Sequence, residues 1–141
     1  MSKVAVVYWS GTGNTEAMAN AVVEGAQAKG ADVTLFTASD FNDSMIADYD
    51  AIGFGCPAMG AEVLEEEEFE PMFAACEGKL AGKKVALFGS YGWGDGEWMR
   101  TWEERCAAAG IKLCCDSVLV NEAPDEDGLD NCKDLGDALA C

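Results

Sequence analysis

The chain has 141 residues, half of them hydrophobic, and a formal net charge of −17 from 9 basic and 26 acidic residues. That length fits one domain, 1–141, able to bury a core of its own, and no apolar run is long enough for a membrane span. So acidic a surface argues against nucleic acid and anionic lipid as partners; it reads equally as simple solubility or as attraction to a protein with a basic docking face.

Histidine is absent, which removes Ser-His-Asp and Cys-His catalysis and most zinc chemistry. The seven cysteines include one adjacent pair, Cys114-Cys115, and no CxxC. Such spacing reads as free thiols in a cytoplasmic chain, not as a disulfide framework or metal site. Met1-Ser2-Lys3 runs directly into Val4-Ala5-Val6-Val7 with no secretory signal pattern, and cytoplasmic residence follows as an expectation.

In chain order, Lys3 to Trp9 is an almost continuous apolar run, as expected of a strand buried on both faces. Gly11 and Gly13 break it, and Met18, Val22, Gly25 and Ala26 then fall at helical spacing, with Gly30 as the stop. Asp32 to Phe36 and Asp50 to Gly55 read as the second and third strands. An acidic helix is expected around Glu66 to Cys76, with the run Glu65-Glu66-Glu67-Glu68 stabilising its start. Lys84 to Gly89 is a fourth strand and Ser90 to Gly96 a glycine-rich loop. Trp98, Trp102, Cys106 and Ala109 stripe a helix, Lys112 to Val120 forms a fifth strand, and Leu129, Cys132, Leu135 and Leu139 stripe the last helix. Five strands separated by helices imply an α/β fold, a doubly wound parallel sheet with helices on both faces.

Ligands of such sheets bind beyond the carboxyl ends of the strands, at the topological switch point. The first loop there, Ser10-Gly11-Thr12-Gly13-Asn14-Thr15, offers hydroxyls, an amide and flexible backbone at a helix N-terminus. It suits an anion. It lacks the Gly-Lys-Ser/Thr of a P-loop, and Glu16 stands where a dinucleotide fingerprint needs a third glycine. With no Lys or Arg from Ser10 to Ala28, the loop fits a single terminal phosphate better than a pyrophosphate. The alternative is a turn that only starts a helix. Two further loops suggest a flat ligand. Ser90-Tyr91-Gly92-Trp93-Gly94-Asp95-Gly96 places an indole among glycines, and Pro57-Ala58-Met59-Gly60-Ala61-Glu62 brings a soft thioether and an acceptor for a ring N–H. Each feature alone reads as packing; together they outline a slot for a phosphorylated, planar molecule.

The stretches Tyr8–Glu16, Gly55–Gly60 and Phe88–Gly96 resemble the short-chain flavodoxins of anaerobic bacteria, and the likeness runs nearly end to end. The resemblance implies strand order 2-1-3-4-5, non-covalent FMN and a low-potential one-electron carrier. It also implies cycling mainly between semiquinone and hydroquinone, between larger redox proteins such as ferredoxin-type reductases. It assigns the FMN phosphate to Ser10–Thr15, the inner flavin face to Met59 and the outer to Trp93. The Gly60 carbonyl would meet flavin N5–H, Glu62 would take N3–H, the Tyr91 and Gly92 N–H groups would lie near N1 and O2, and Ser90 near the ring edge. Pro57, Ala58, Ala61, Gly94, Asp95 and Gly96 complete the implied cofactor-binding set. Ala61 departs from the Asp or Ser of several relatives, and Pro57 from a hydroxyl. The rival reading is an FMN-dependent NAD(P)H:quinone or flavin reductase; a Trp lid over the flavin argues against it, so a monomeric carrier and no enzyme is expected.

Overall fold

The computed structural model describes residues 2–11, 13–59, 64–92 and 96–140. Five parallel strands, β1 (Lys3–Tyr8), β2 (Asp32–Thr37), β3 (Ala51–Gly55), β4 (Lys84–Tyr91) and β5 (Val118–Asn121), form one sheet in the order β2-β1-β3-β4-β5. The helices are α1 (Asn14–Ala28), α2 (Phe69–Glu77), α3 (Glu97–Ala108) and α4 (Glu126–Ala140). This is the expected doubly wound architecture, with its switch point between β1 and β3.

The strand alternation sorts the core into two halves. Ala5, Val7, Ile52, Phe54, Val85 and Leu87 face α2 and α3, where Trp102 meets Phe69 and Phe73 edge to face. Val4, Val6, Ala51, Ala86 and Phe88 face α1 and α4. Those two helices touch backbone to backbone: a Cβ added at Gly25 would lie 2.0 Å from the Lys133 carbonyl oxygen, and one at Gly136 2.0 Å from that of Val22. Across the other face, Arg105 of α3 reaches both carboxylate oxygens of Glu70 at 2.7 Å and both of Glu77 at 2.9 Å.

Three expectations shift. The acidic helix begins at Phe69, later than Glu66. The Glu65 carboxylate accepts the backbone N–H groups of Glu67, Glu68 and Phe69 at 2.7–2.9 Å, so a buried side chain shapes the turn before the helix. Next, β4 extends to Tyr91, because Ser90 and Tyr91 pair with Val120 and Asn121; these two residues end a strand instead of opening a loop. Finally, the continuous fifth strand over Lys112 to Val120 does not form. Leu113 bridges Val85, but regular pairing starts only at Val118, opposite Phe88. Two residues beyond what the register needs are bent out at 114–115.

Candidate functional site

Trp9, Pro57, Ala58, Met59, Ser90, Tyr91 and Gly92 converge at the carboxyl ends of β1, β3 and β4. With Gly11, Asn14, Glu122 and Ala123 they line a slot of about 500 Å3. Its base is tightly bonded. The Cys56 N–H donates to the Phe88 carbonyl at 3.1 Å, the Ala58 N–H to that of Ser90 at 3.0 Å, and the Trp98 indole N–H to that of Cys56 at 3.1 Å. Gly89 permits this approach, since a Cβ there would stand 2.2 Å from the Cys56 carbonyl oxygen. Burial pushes the Cys56 thiol up to about 12, so it is a neutral packing group beneath the slot.

At one end of the slot α1 starts. Its N-cap is Gly13, left-handed at φ 94°, which has no side chain to cap with. Such a start, with no side-chain cap from Gly13, suits the first-turn N–H groups to an anionic ligand. The Ser10 hydroxyl accepts the Gly13 N–H at 3.0 Å, and the buried Thr15 hydroxyl lies 3.2 Å from that of Ser90. That contact couples the first turn of α1 to the end of β4. Beside this loop is a hollow of about 360 Å3 touched by Ser10, Gly11, Gly13 and Glu16. Neither Lys nor Arg is among the described residues lining slot or hollow. The Tyr8 phenol donates to Glu16 at 3.1 Å, and burial, reinforced by that carboxylate, holds its pKa above the ordinary value.

The structure thus gathers Gly11, Asn14, Pro57, Ala58, Met59, Ser90, Tyr91 and Gly92 around one slot, with Ser10, Gly13 and Thr15 at its phosphate-suited end. Gly96, expected at the site, instead begins α3 at φ 89° under Leu119 and does not line the slot. Thr12, Gly60, Ala61, Glu62, Trp93, Gly94 and Asp95 lie outside the described residues. Three further residues line the slot: Trp9, and Glu122 and Ala123 of the loop that follows the fifth strand, one of the loops the sequence places at the carboxyl edge of the sheet. Trp9 reads as the end of a buried strand, yet its indole lies over Gly11 and its N–H donates to Glu68 at 3.1 Å. Glu122 carries a clear backbone signal, left-handed at φ 58°, with its N–H bonded to the Tyr91 carbonyl at 2.7 Å. Such a conformation is costly for a residue with a Cβ and recurs at functional loops. The sequence alone offers no sign of it.

The sequence model of the flavodoxin family matches residues 6–136. The chain belongs to the flavodoxin family. It is 50% identical to the flavodoxin of Megasphaera elsdenii, over 97% of this chain and 98% of that one. It is 48% identical to the flavodoxin of Clostridium beijerinckii, over 96% and 97%. The solution structure of the two-electron reduced Megasphaera elsdenii flavodoxin superposes with a TM-score of 0.89, covering 97% of this chain and 98% of that one. As a flavodoxin the chain takes FMN as its cofactor and carries electrons. Its residues fit that group: an uncapped helix start with hydroxyls and no cation suits one phosphate, and the neighbouring slot, flanked by Met59, Tyr91 and Trp9, suits a flat ring.

Proposed function

We propose that residues 1–141 act as one FMN-binding domain, a monomeric, cytoplasmic, low-potential carrier of single electrons between redox proteins that present basic docking faces. The observation that carries this reading is the joining of a cation-free, hydroxyl-bearing helix start to a slot of about 500 Å3 lined by Trp9, Met59 and Tyr91. FMN, when bound, supplies the one-electron chemistry, and the protein sets its orientation and electrostatics.

In this reading Ser10, Thr12, Asn14 and Thr15, with backbone N–H groups of the 10–15 loop, hold the phosphate by hydrogen bonds alone. Met59 and Trp93 cover the two ring faces and exclude water. Tyr91 and Gly92 donate backbone N–H groups to the pyrimidine edge, and Glu62 accepts its ring N–H. The Gly60 carbonyl would serve as the acceptor for a ring N–H at the N5 edge, and glycine at that position would lower the cost of turning the peptide there, by roughly 1 kcal/mol relative to a residue with a Cβ. The dense acidic surface disfavours further negative charge on the cofactor and steers the chain toward cationic partners. No separate substrate pocket is needed for this work, and NAD(P)H oxidation by the isolated protein is not expected.

The test is a comparison of FMN with riboflavin, which lacks the phosphate. Fluorescence titration of the apoprotein should show Ser10→Ala weakening FMN about tenfold or more, the effect of one hydrogen bond to a charged group. Riboflavin affinity should barely change. Equal losses for both ligands would refute the phosphate assignment. Steady NAD(P)H consumption by the FMN-loaded protein without a partner would favour the reductase reading instead.

A further inference from the structure

Between its two contacts with β4, the fifth strand carries two surplus residues, and Cys114 and Cys115 stand at that bend. In a regular strand, neighbouring side chains point to opposite faces, which would hold adjacent thiols apart. Here both sulfurs lie together, 4.0 Å apart in S–H···S contact. Packed elements fix both ends of the bend: the Cys114 N–H donates to the Val85 carbonyl at 2.9 Å, and the Ser117 hydroxyl to Glu103 of α3 at 2.7 Å. Cys114 is exposed and Cys115 half-buried, whereas Cys56, Cys76, Cys106 and Cys132 are buried.

The separation discriminates between chemistries. A disulfide needs the sulfurs about 2.05 Å apart and Cα atoms usually at least about 4.4 Å apart, but adjacent Cα atoms across a trans peptide are fixed near 3.8 Å. Bonds from thiolate to a thiophilic centre run about 2.3 Å, so two thiolates on one centre stand less than about 4.6 Å apart, and the pair, already at 4.0 Å, needs only a side-chain rotation that draws the sulfurs slightly closer to close on a pyramidal centre. Among the described residues no group of three or more potential metal ligands forms, so zinc, which takes four donors, is poorly served. The pair suits a thiophilic centre that needs two protein bonds and brings its own third substituent. Beside Cys114 a cavity of about 400 Å3, bordered by Lys84, Gly110, Lys112 and Leu113, gives that substituent room.

We propose that Cys114 and Cys115 form a two-thiol clamp at the β5 bend whose ligand class is a monosubstituted trivalent arsenical. Capture of R–As(OH)2 breaks two As–O bonds and forms two As–S bonds. Each thiol proton leaves with a hydroxide as water, and arsenic stays trivalent. The Cys115 thiol draws its neighbour Cys114 down to about 7 against the opposing effect of burial, with Lys84 assisting, so the first thiolate is available near neutrality. Burial pushes the thiols of Cys76 and Cys106 up to about 11 and that of Cys132 up to about 12, leaving them poor competitors.

The experiment uses FMN-loaded, reduced protein with Cys141→Ser, so that the terminal thiol is not counted, titrated with phenylarsine oxide. One arsenic per chain by mass, with two thiols lost together to a thiol-reactive dye and no change in flavin absorbance, is the expected result. Cys114→Ser and Cys115→Ser, each with its flavin absorbance intact as a check of folding, should weaken binding about 100-fold or more, because the second bond forms intramolecularly. Equal uptake by either variant, or thiols blocked independently one by one, would overturn the proposal.

Discussion

At the scale of single residues, the slot depends on a close approach that leaves no space for substitution. Gly89→Ala would drive a methyl group against the Cys56 carbonyl, 2.2 Å away. It is expected to cost about 1–3 kcal/mol, the usual range for overpacking, and to weaken FMN binding, as urea unfolding and flavin titration would show together. Glu65 makes a pH-dependent contribution. Its burial disfavours the charge, but the N–H groups of Phe69, Glu68 and Glu67 together outweigh that and hold its carboxyl below the ordinary value. The stability it supplies is therefore complete above the unfolded value, near about 4.3, and is lost as pH falls through the lower folded value. Glu65→Gln should lower the urea midpoint at neutral pH, and the gap from the parent should close in acid. An unchanged gap across that range would refute the role given to its charge.

Among the elements, the pairing of α1 with α4 is the most demanding contact. Alanine ordinarily favours a helix over glycine by about 1 kcal/mol, yet Gly136→Ala should destabilise by about 1–3 kcal/mol, since its Cβ would meet the Val22 carbonyl oxygen at 2.0 Å. Thermal unfolding of the FMN-loaded protein measures this, and a raised midpoint would contradict it. Strands and helix stripes are legible because apolar periodicity reports burial directly: Met18, Val22 and Ala26 on α1, and Cys132, Leu135 and Leu139 on α4, are buried as their spacing implies; the order of the strands rests on the family resemblance instead. The hydroxyl loop and Met59 were readable by residue type and position. What escaped depends on partners distant in sequence. Nothing local distinguishes Leu113 to Val120 from a plain strand; only the register with β4 reveals the bend. Likewise Glu122 is left-handed where its N–H meets the carbonyl of Tyr91, thirty-one residues earlier. The capping role of Glu65 was hidden inside a run of four identical residues.

For the molecule as a whole, a net charge of −17 sets opposing salt responses. Self-repulsion within the fold is screened as ions are added, so the thermal midpoint of the isolated protein should rise from low to moderate sodium chloride. Electron transfer to a cationic partner should slow over the same range, as stopped-flow mixing would reveal. A falling midpoint would mean that attractive ion pairs, such as Arg105 with Glu70 and Glu77, dominate the balance. The embrace of α1 by α4 also bears on how the chain is made. One face of the sheet, with Val4, Val6 and Ala86 on it, is covered by a helix beginning at Asn14 and another ending at Ala140. During synthesis the first strands leave the ribosome long before the second cover exists, so that face stays open to solvent or to a chaperone until translation of α4 is complete. Ribosome-bound chains halted before Glu126 should accordingly remain protease-sensitive, and those extended past Ala140 by a linker should not.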